Sequence, residues 1–195
     1  MFAVAQTTLH PVLNLCFAGP APRLATFNAG PHELPAVPPP DLTETIEMEK
    51  NLIARATTSI EASRRQVWAA LVAPEAIKQY MFGAEVTSDW RPGSQITWRR
   101  EVQGMPCEDK GTILKFERDQ LLQYSHYSPL SGQPDTAQNY HTVSIRLSSS
   151  GGDVEVSLSQ DKNADERTCQ EIEQEWDAML DGLKAYVEKR TLQTA

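Results

Sequence analysis

The feature that most limits how this chain can fold is one long amphipathic segment near its end, residues 171–190. Its apolar side chains recur every three or four positions, which places them along one face of an α-helix. They are Ile172, Trp176, Met179, Leu180, Leu183 and Val187. Asn163 or Asp165 is expected to cap this helix. Because residues 84–160 have the pattern of strands, we expect the helix to bury its apolar face against a sheet.

The predicted sheet is antiparallel, since short alternating or β-branched runs are separated by residues typical of turns. The predicted strands cover residues 51–62, 84–88, 95–103, 108–117, 120–127, 140–147 and 154–160. Two short helices are expected after the first strand. Ser63 and Gln66 have the capping-box spacing at the start of one, and Pro74 suits the first position of the other. The turn after residue 103 is expected at Gly104-Met105-Pro106.

Composition restricts the class of protein. The chain has 195 residues, 40% of them hydrophobic, which suffices for one core. Its 18 Lys and Arg residues are outnumbered by 26 Asp and Glu residues, and the net charge of −8 opposes nucleic-acid binding. Cys16, Cys107 and Cys169 are too far apart in sequence to suggest a disulfide framework or a zinc site. No apolar run approaches the roughly 20 residues of a membrane span, so we expect a cytoplasmic protein without metal or cofactor.

The first part of the chain differs from the rest. Residues 1–47 are rich in proline and carry few charges, which predicts a disordered extension. Met48 is a candidate start of translation, because domain-like sequence begins beside it. The domain is expected to cover residues 48–190, followed by a short tail at residues 191–195.

Several motifs occur in an order typical of one family. They are Val67-Trp68 with Leu71, Pro74-Glu75, the turn Asp89–Ser94, Gly111 with Glu117, and the segment Trp176–Lys184. Together they resemble the activator-of-Hsp90-ATPase-like branch of the START/Bet v 1 superfamily, whose members are often called SRPBCC domains. The resemblance covers about Ile53 to Arg190.

This resemblance implies an α+β helix-grip fold. A curved antiparallel sheet of about six to seven strands would wrap around the long C-terminal helix, with two short helices after the first strand. It also implies a deep apolar cavity between the sheet and that helix. Members of the superfamily include carriers, cyclases and co-chaperone domains, so the fold alone does not assign an activity.

Side chains on the inner faces of the predicted strands and helix are the candidates for ligand binding. They are Phe82, Trp98, Arg100, Tyr124, His126, His141, Trp176, Met179 and Leu180. Arg100 shares a strand face with Trp98 and could anchor an anionic group, although an arginine there more often reaches solvent. The acidic residues of the last helix, Glu175 among them, are interpreted as a solvated face.

Three functions stay open at this point. The first is noncovalent binding of a small hydrophobic molecule. The second is a cyclase or hydrolase in which His126, His141 or Tyr124 moves protons, against the alternative that these histidines are structural. No third group that would orient them is identifiable from the sequence. The third is an Hsp90 co-chaperone-like role, in which the outer surface binds a protein partner or a second copy of the chain.

Cys169 lies close to the start of the last helix, where the helix N-terminus could lower the pKa of its thiol. Without a base beside it, neither Cys169 nor Cys107 is a credible nucleophile.

Overall fold

A seven-stranded antiparallel sheet curves around a long C-terminal helix in the computed structural model, which describes residues 51–194. The strands are β1 (Leu52–Ile60), β2 (Glu85–Ser88), β3 (Gln95–Val102), β4 (Met105–Glu117), β5 (Leu121–His126), β6 (His141–Ser150) and β7 (Asp153–Asn163). The helices are α1 (Arg64–Val72), α2 (Pro74–Tyr80) and α3 (Glu166–Thr194). This confirms the predicted helix-grip fold. The predicted extension at residues 1–47 lies outside the described residues.

The order of strands explains why two helices follow β1. The sheet runs β1-β7-β6-β5-β4-β3-β2, so β1 and β2 lie at opposite edges. The chain between them must cross the whole sheet, and α1 and α2 make this crossing while they pack against α3. The Ser63–Gln66 capping box at the start of α1 is present, as predicted.

Helix α3 covers the concave face of the sheet with the predicted apolar stripe. The six residues of that stripe are each 3% exposed or less. Asp165 caps the helix, because its carboxylate oxygen Oδ1 accepts a hydrogen bond of 2.7 Å from the Thr168 backbone N–H. The helix begins at Glu166 and continues to Thr194, beyond the predicted end at Arg190.

The start of β4 differs from the prediction. The turn consists of Gln103 and Gly104, which both have positive φ angles, of 52° and 79°. Such a two-residue turn matches the twist of a hairpin. Pro106 therefore lies within β4, paired with Glu101. The earlier start puts Cys107 on the inner face of the sheet together with Asp109.

Gly111 allows β4 to approach β5 closely. A Cβ atom at this position would lie 1.7 Å from the backbone oxygen of Ser125, so no larger residue fits without a backbone shift. Beside this contact, the backbones of Lys110 and Tyr127 exchange hydrogen bonds of 2.8 and 3.0 Å. The close approach brings the inner face of β4 at Asp109 beside His126 of β5.

Candidate functional site

The groove between the sheet and α3 has an apolar end that is almost completely filled. It encloses a cavity of about 20 Å³, which is room for about one water molecule. The lining residues come from α1, α2, α3, the sheet and two loops: Leu71, Ile77, Tyr80, Met81, Trp90, Ile96, Trp98, Leu122, Tyr124, Ile145, Trp176 and Met179. The side chains that enclose the cavity are therefore predominantly apolar and aromatic.

The structure brings several of the predicted pocket residues together at this cavity. Trp98, Tyr124, Trp176 and Met179 line it. Leu180 is 1% exposed and lies in the same core, outside this lining.

Phe82 is a predicted pocket residue that is exposed and does not line the cavity. Helix α2 ends at Tyr80, and the chain then turns through Phe82 and Gly83, whose φ angles are 51° and 83°. The Phe82 side chain is 48% exposed. The sequence pattern did not indicate this reversal before Gly83, which is why Phe82 was expected on the inner face.

A group of ionisable side chains occupies the other end of the groove, and we call it the polar cluster. It consists of Arg100, Asp109, His126, His141 and Glu175. Arg100 donates a hydrogen bond of 3.0 Å from Nη2 to Oδ2 of Asp109, and the two side chains are 8% and 4% exposed. Nε2 of His126 lies 3.6 Å from the same carboxylate oxygen. Arg100 is thus held inside the fold by a buried carboxylate instead of reaching solvent.

His126 and His141 are directly opposite each other on β5 and β6. Nδ1 of His141 lies 2.9 Å from the backbone oxygen of Asp161. Since a carbonyl oxygen can only accept, Nδ1 carries the proton in this contact. Burial lowers the pKa of His141, and the neighbouring His126 lowers it too, although the hydrogen bond to Asp161 opposes this. His141 is therefore neutral near pH 7.

Trp98 joins the two ends of the groove. Its ring lies 5.0 Å from that of Tyr124 and 5.4 Å from that of His126, the second pair being T-shaped. A hydrogen bond also connects helix α3 to the sheet. The Trp176 indole N–H donates it, at 3.3 Å, to the amide oxygen of the fully buried Gln160 of β7.

The two acidic members of the polar cluster have opposite pKa shifts. Burial alone would raise the pKa of Asp109, but His126, Ser128 and Arg100 overcome this and lower it. Burial raises the pKa of Glu175 to about 7; Arg100 opposes the rise and Glu171 adds to it. Oε2 of Glu175 is buried and makes no hydrogen bond within the described part of the chain.

Sequence reasoning missed both Asp109 and Glu175. Glu175 was assigned to a solvated helix face, which is wrong: it lies three residues after Ile172 and four before Met179, on the side of the helix that is partly buried. Asp109 alternates with Cys107, Gly111 and Ile113, whose inner-face positions are buried. Both spacings were visible in the sequence. What the sequence did not show was that Arg100 would bond to Asp109 and would lie within electrostatic range of Glu175.

Both described cysteines, Cys107 and Cys169, are free thiols, and Cys169 lacks the lowered pKa that is typical of a nucleophile. Burial raises the pKa of the Cys169 thiol, and Glu173 and Glu166 raise it further, so the lowering considered from the helix N-terminus does not occur. Sγ of Cys107 lies 3.7 Å from Oδ1 of Asp109. Within residues 51–194, no three His, Cys, Asp or Glu side chains group in a way that could hold a metal ion.

Over the same described range, no helix is both long enough and apolar enough to cross a membrane.

Comparisons with known proteins agree with this architecture. The family model described as activator of Hsp90 ATPase homolog 1-like protein matches residues 61–188. The solution structure of ChR145 from Cytophaga hutchinsonii is 51% identical, with a TM-score of 0.64, and the alignment covers 72% of this chain and 96% of that one. The comparison with curated proteins found no match.

Two more distant structures share the fold alone. The Aha1 dimer from Colwellia psychrerythraea is 14% identical, with a TM-score of 0.54, over 70% of this chain and 96% of that one. DynU16, from the dynemicin biosynthetic locus, is 13% identical with a TM-score of 0.59. That alignment covers 70% of this chain and 47% of DynU16.

Proposed function

This chain belongs to the activator of Hsp90 ATPase homolog 1-like family, and we propose that it binds a small hydrophobic molecule between its sheet and its C-terminal helix. The observation that carries the proposal is the groove itself, in which an aromatic wall leads directly to a buried polar cluster. Small-molecule sites are typically concave and apolar, with a few polar groups that orient the ligand.

The wall supplies the apolar contacts that such a ligand needs. Trp98 and Tyr124 from the sheet face Trp176 and Met179 from α3. Each of these side chains is 5% exposed or less, so a molecule between them would be removed from water. Burying apolar surface is worth roughly 25 cal/mol per Å², and this term would dominate the affinity.

Binding requires the groove to open. The cavity of about 20 Å³ holds no molecule much larger than water, so the ligand must displace side chains at its rim. Met81 and Trp90 are the lining residues that are only partly buried. Trp90 also has a φ of 54°, a conformation that is uncommon outside glycine and asparagine, in the loop between β2 and β3. We assign the opening to these two residues.

The test is native mass spectrometry of the full 195-residue chain purified from its own host, followed by denaturing extraction. We expect a stoichiometric extra mass that disappears on denaturation. A clean mass of the protein alone, with no shift on addition of a panel of lipophilic compounds, would overturn the proposal.

A pair of leucine variants locates the site. Leu122→Phe adds volume to the cavity wall, whereas Leu114→Phe makes the same change at a side chain that is 42% exposed. The first should reduce the fraction of protein that carries the extra mass, and the second should not. Because overpacking costs about 1–3 kcal/mol, circular dichroism must show that Leu122→Phe is folded.

Proton transfer is a second candidate, favoured by the contact between His126 and Asp109. A carboxylate beside an imidazole fixes its orientation and stabilises its protonated form, and this was the orienting group absent from the sequence analysis. The test uses the molecule released from the protein: His126→Phe and His141→Phe should keep binding it but abolish any conversion. Retained conversion in both variants would remove this candidate.

A co-chaperone role stays a prediction. If the purified protein leaves the ATPase rate of Hsp90 unchanged, that role is excluded.

A further inference from the structure

Glu175 is the group of the polar cluster whose carboxylate is left incompletely satisfied. Its Oε2 atom is buried and makes no hydrogen bond among the described residues. A buried acceptor without a donor normally costs a protein stability, so such atoms are rare in native structures. Glu175 precedes Trp176 of the cavity wall, and it lies within electrostatic range of Arg100. Glu175 also lies one helical turn before Met179, which lines the cavity, so its position on the helix is adjacent to the cavity wall.

The nearby side chains do not compensate the two carboxylates equally. Arg100 donates a hydrogen bond of 3.0 Å to Oδ2 of Asp109, and Nε2 of His126 lies 3.6 Å from the same oxygen. Burial raises the pKa of Glu175 to about 7, Arg100 opposes this rise, and Glu171 on the same helix adds to it. The ionised carboxylate of Glu175 is therefore the less well compensated of the two.

From this unsatisfied carboxylate oxygen we infer that the proposed ligand carries a protonated amine, which donates a hydrogen bond to Glu175 while its apolar body lies against Trp98, Tyr124 and Trp176. The inference rests on the proposed function. An ammonium group is a donor without acceptors, which is what a carboxylate oxygen without a donor requires. Aromatic faces beside it add favourable cation–π contacts.

An alcohol of the same shape would fit less well. A hydroxyl group could donate to Glu175 but would bring no charge, so the buried carboxylate would keep its full desolvation cost. Hydrogen bonds that involve a charged partner are roughly twice as strong as neutral ones. The distinction between amine and alcohol thus tests the inference directly.

Benzylamine and benzyl alcohol are the matched probes, since they differ only in the polar group. Their binding to the full 195-residue chain is measured by NMR titration of the tryptophan indole signals at pH 8. We expect benzylamine to bind about tenfold more tightly. Glu175→Gln should remove this preference. Asp177→Asn, which removes a negative charge from an exposed position two residues further along the helix, should retain it.

The pH dependence has a defined sign. Because the pKa of Glu175 is raised to about 7, its carboxyl becomes protonated as the pH falls, while benzylamine keeps its positive charge. Affinity for benzylamine should therefore decrease from pH 8 to pH 6, and that for benzyl alcohol should change less. Bound benzylamine should in turn lower the pKa of Glu175, measured from its carboxyl carbon shift.

The outcomes separate the inference from the proposed function. Equal binding of the two probes, or an amine preference that survives Glu175→Gln, would overturn the amine site and leave the apolar cavity standing. Failure of both probes to bind at millimolar concentration would overturn the inference, and with the lipophile panel also negative it would overturn the proposed function.

Discussion

The apolar and polar ends of the groove differ in how completely their side chains satisfy one another. At the apolar end, residues such as Ile96 and Met179 are 1% exposed and leave a cavity of only about 20 Å³. At the polar end, a buried ion pair lies near a carboxylate whose Oε2 atom has no hydrogen-bond partner in the described part of the chain. Close packing stabilises a fold, whereas buried charge usually weakens it unless it serves recognition or chemistry. The contrast therefore separates an end that is stabilised by close packing from an end where charged groups are buried at a cost to stability.

The largest effect is expected when the buried ion pair is broken. Asp109→Ala removes the carboxylate from the Arg100 guanidinium, whose side chain is 8% exposed, and should lower the free energy of unfolding by about 3–5 kcal/mol. Chemical denaturation of the variant measures this loss.

A double variant separates the contribution of charge from that of packing at the Arg100–Asp109 pair. Arg100→Met combined with Asp109→Leu removes both charges and keeps most of the volume, so its stability should be close to wild type or higher. If the double variant is as unstable as Asp109→Ala, the polar end contributes packing instead of charge, and the contrast between the two ends is broken.

Truncation at the apolar end should cost somewhat less. Leu180→Ala leaves a cavity beneath α3 at a residue that is 1% exposed, and the free energy of unfolding should fall by about 2–5 kcal/mol. Leu192→Ala makes the same change at a residue of α3 that is 82% exposed. Denaturation midpoints of the two variants compare them, and equal losses would mean that α3 is not held by its apolar stripe.

Glu175 gives a smaller effect that depends on pH. Its pKa is raised from 4.5 in the unfolded chain to about 7 in the folded one, so the folded state binds the proton more tightly. The favourable contribution of Glu175 to the free energy of unfolding is complete below about pH 4.5, and it is lost as the pH rises through 7. Glu175→Gln should therefore be more stable than wild type by about 1–2 kcal/mol at pH 8, after allowance for solvent screening, and this difference should shrink toward pH 5.

His141 has the opposite sign and must be separated from this effect. Its pKa is lowered in the folded state, so its contribution to stability is present at higher pH. That contribution is lost as the pH falls below the pKa of an ordinary histidine. For this reason the measurement is the difference between wild type and Glu175→Gln at each pH. A difference that does not vary with pH would contradict the raised pKa of Glu175.

The smallest effect is expected on the outer face of the same two strands. Arg99 and Glu108 form an ion pair beside the Arg100–Asp109 pair, but their side chains are 71% and 44% exposed. Solvent screens such a pair, so Glu108→Ala should change stability by no more than the error of a denaturation experiment. A loss as large as that of Asp109→Ala would show that burial does not distinguish the two pairs.

Residues whose role follows from local spacing were predicted well. The stripe from Ile172 to Val187 and the capping box at Ser63 depend only on helical periodicity and on contacts three or four residues apart. Trp98 and Arg100 were placed on one strand face for a similar reason, since strand side chains alternate.

Residues whose role depends on a distant partner were predicted less well. Asp109 contacts His126 because the Gln103–Gly104 turn begins β4 early and Gly111 brings β4 against β5. The pKa of Glu175 is raised because the body of the domain buries its carboxyl group, and Arg100 opposes this rise. Neither relation is visible in the spacing of residues along the chain.

The sequence by itself determined the elements of this protein and which face of each is apolar, because periodicity and capping are properties of neighbouring residues. Only the tertiary structure decided that the apolar end of the groove closes to a cavity of about 20 Å³ and that Arg100, Asp109, His126 and Glu175 meet at its other end. Packing volume and the burial of charge depend on atoms that are far apart in the chain, and strand register and the position of α3 bring those atoms together.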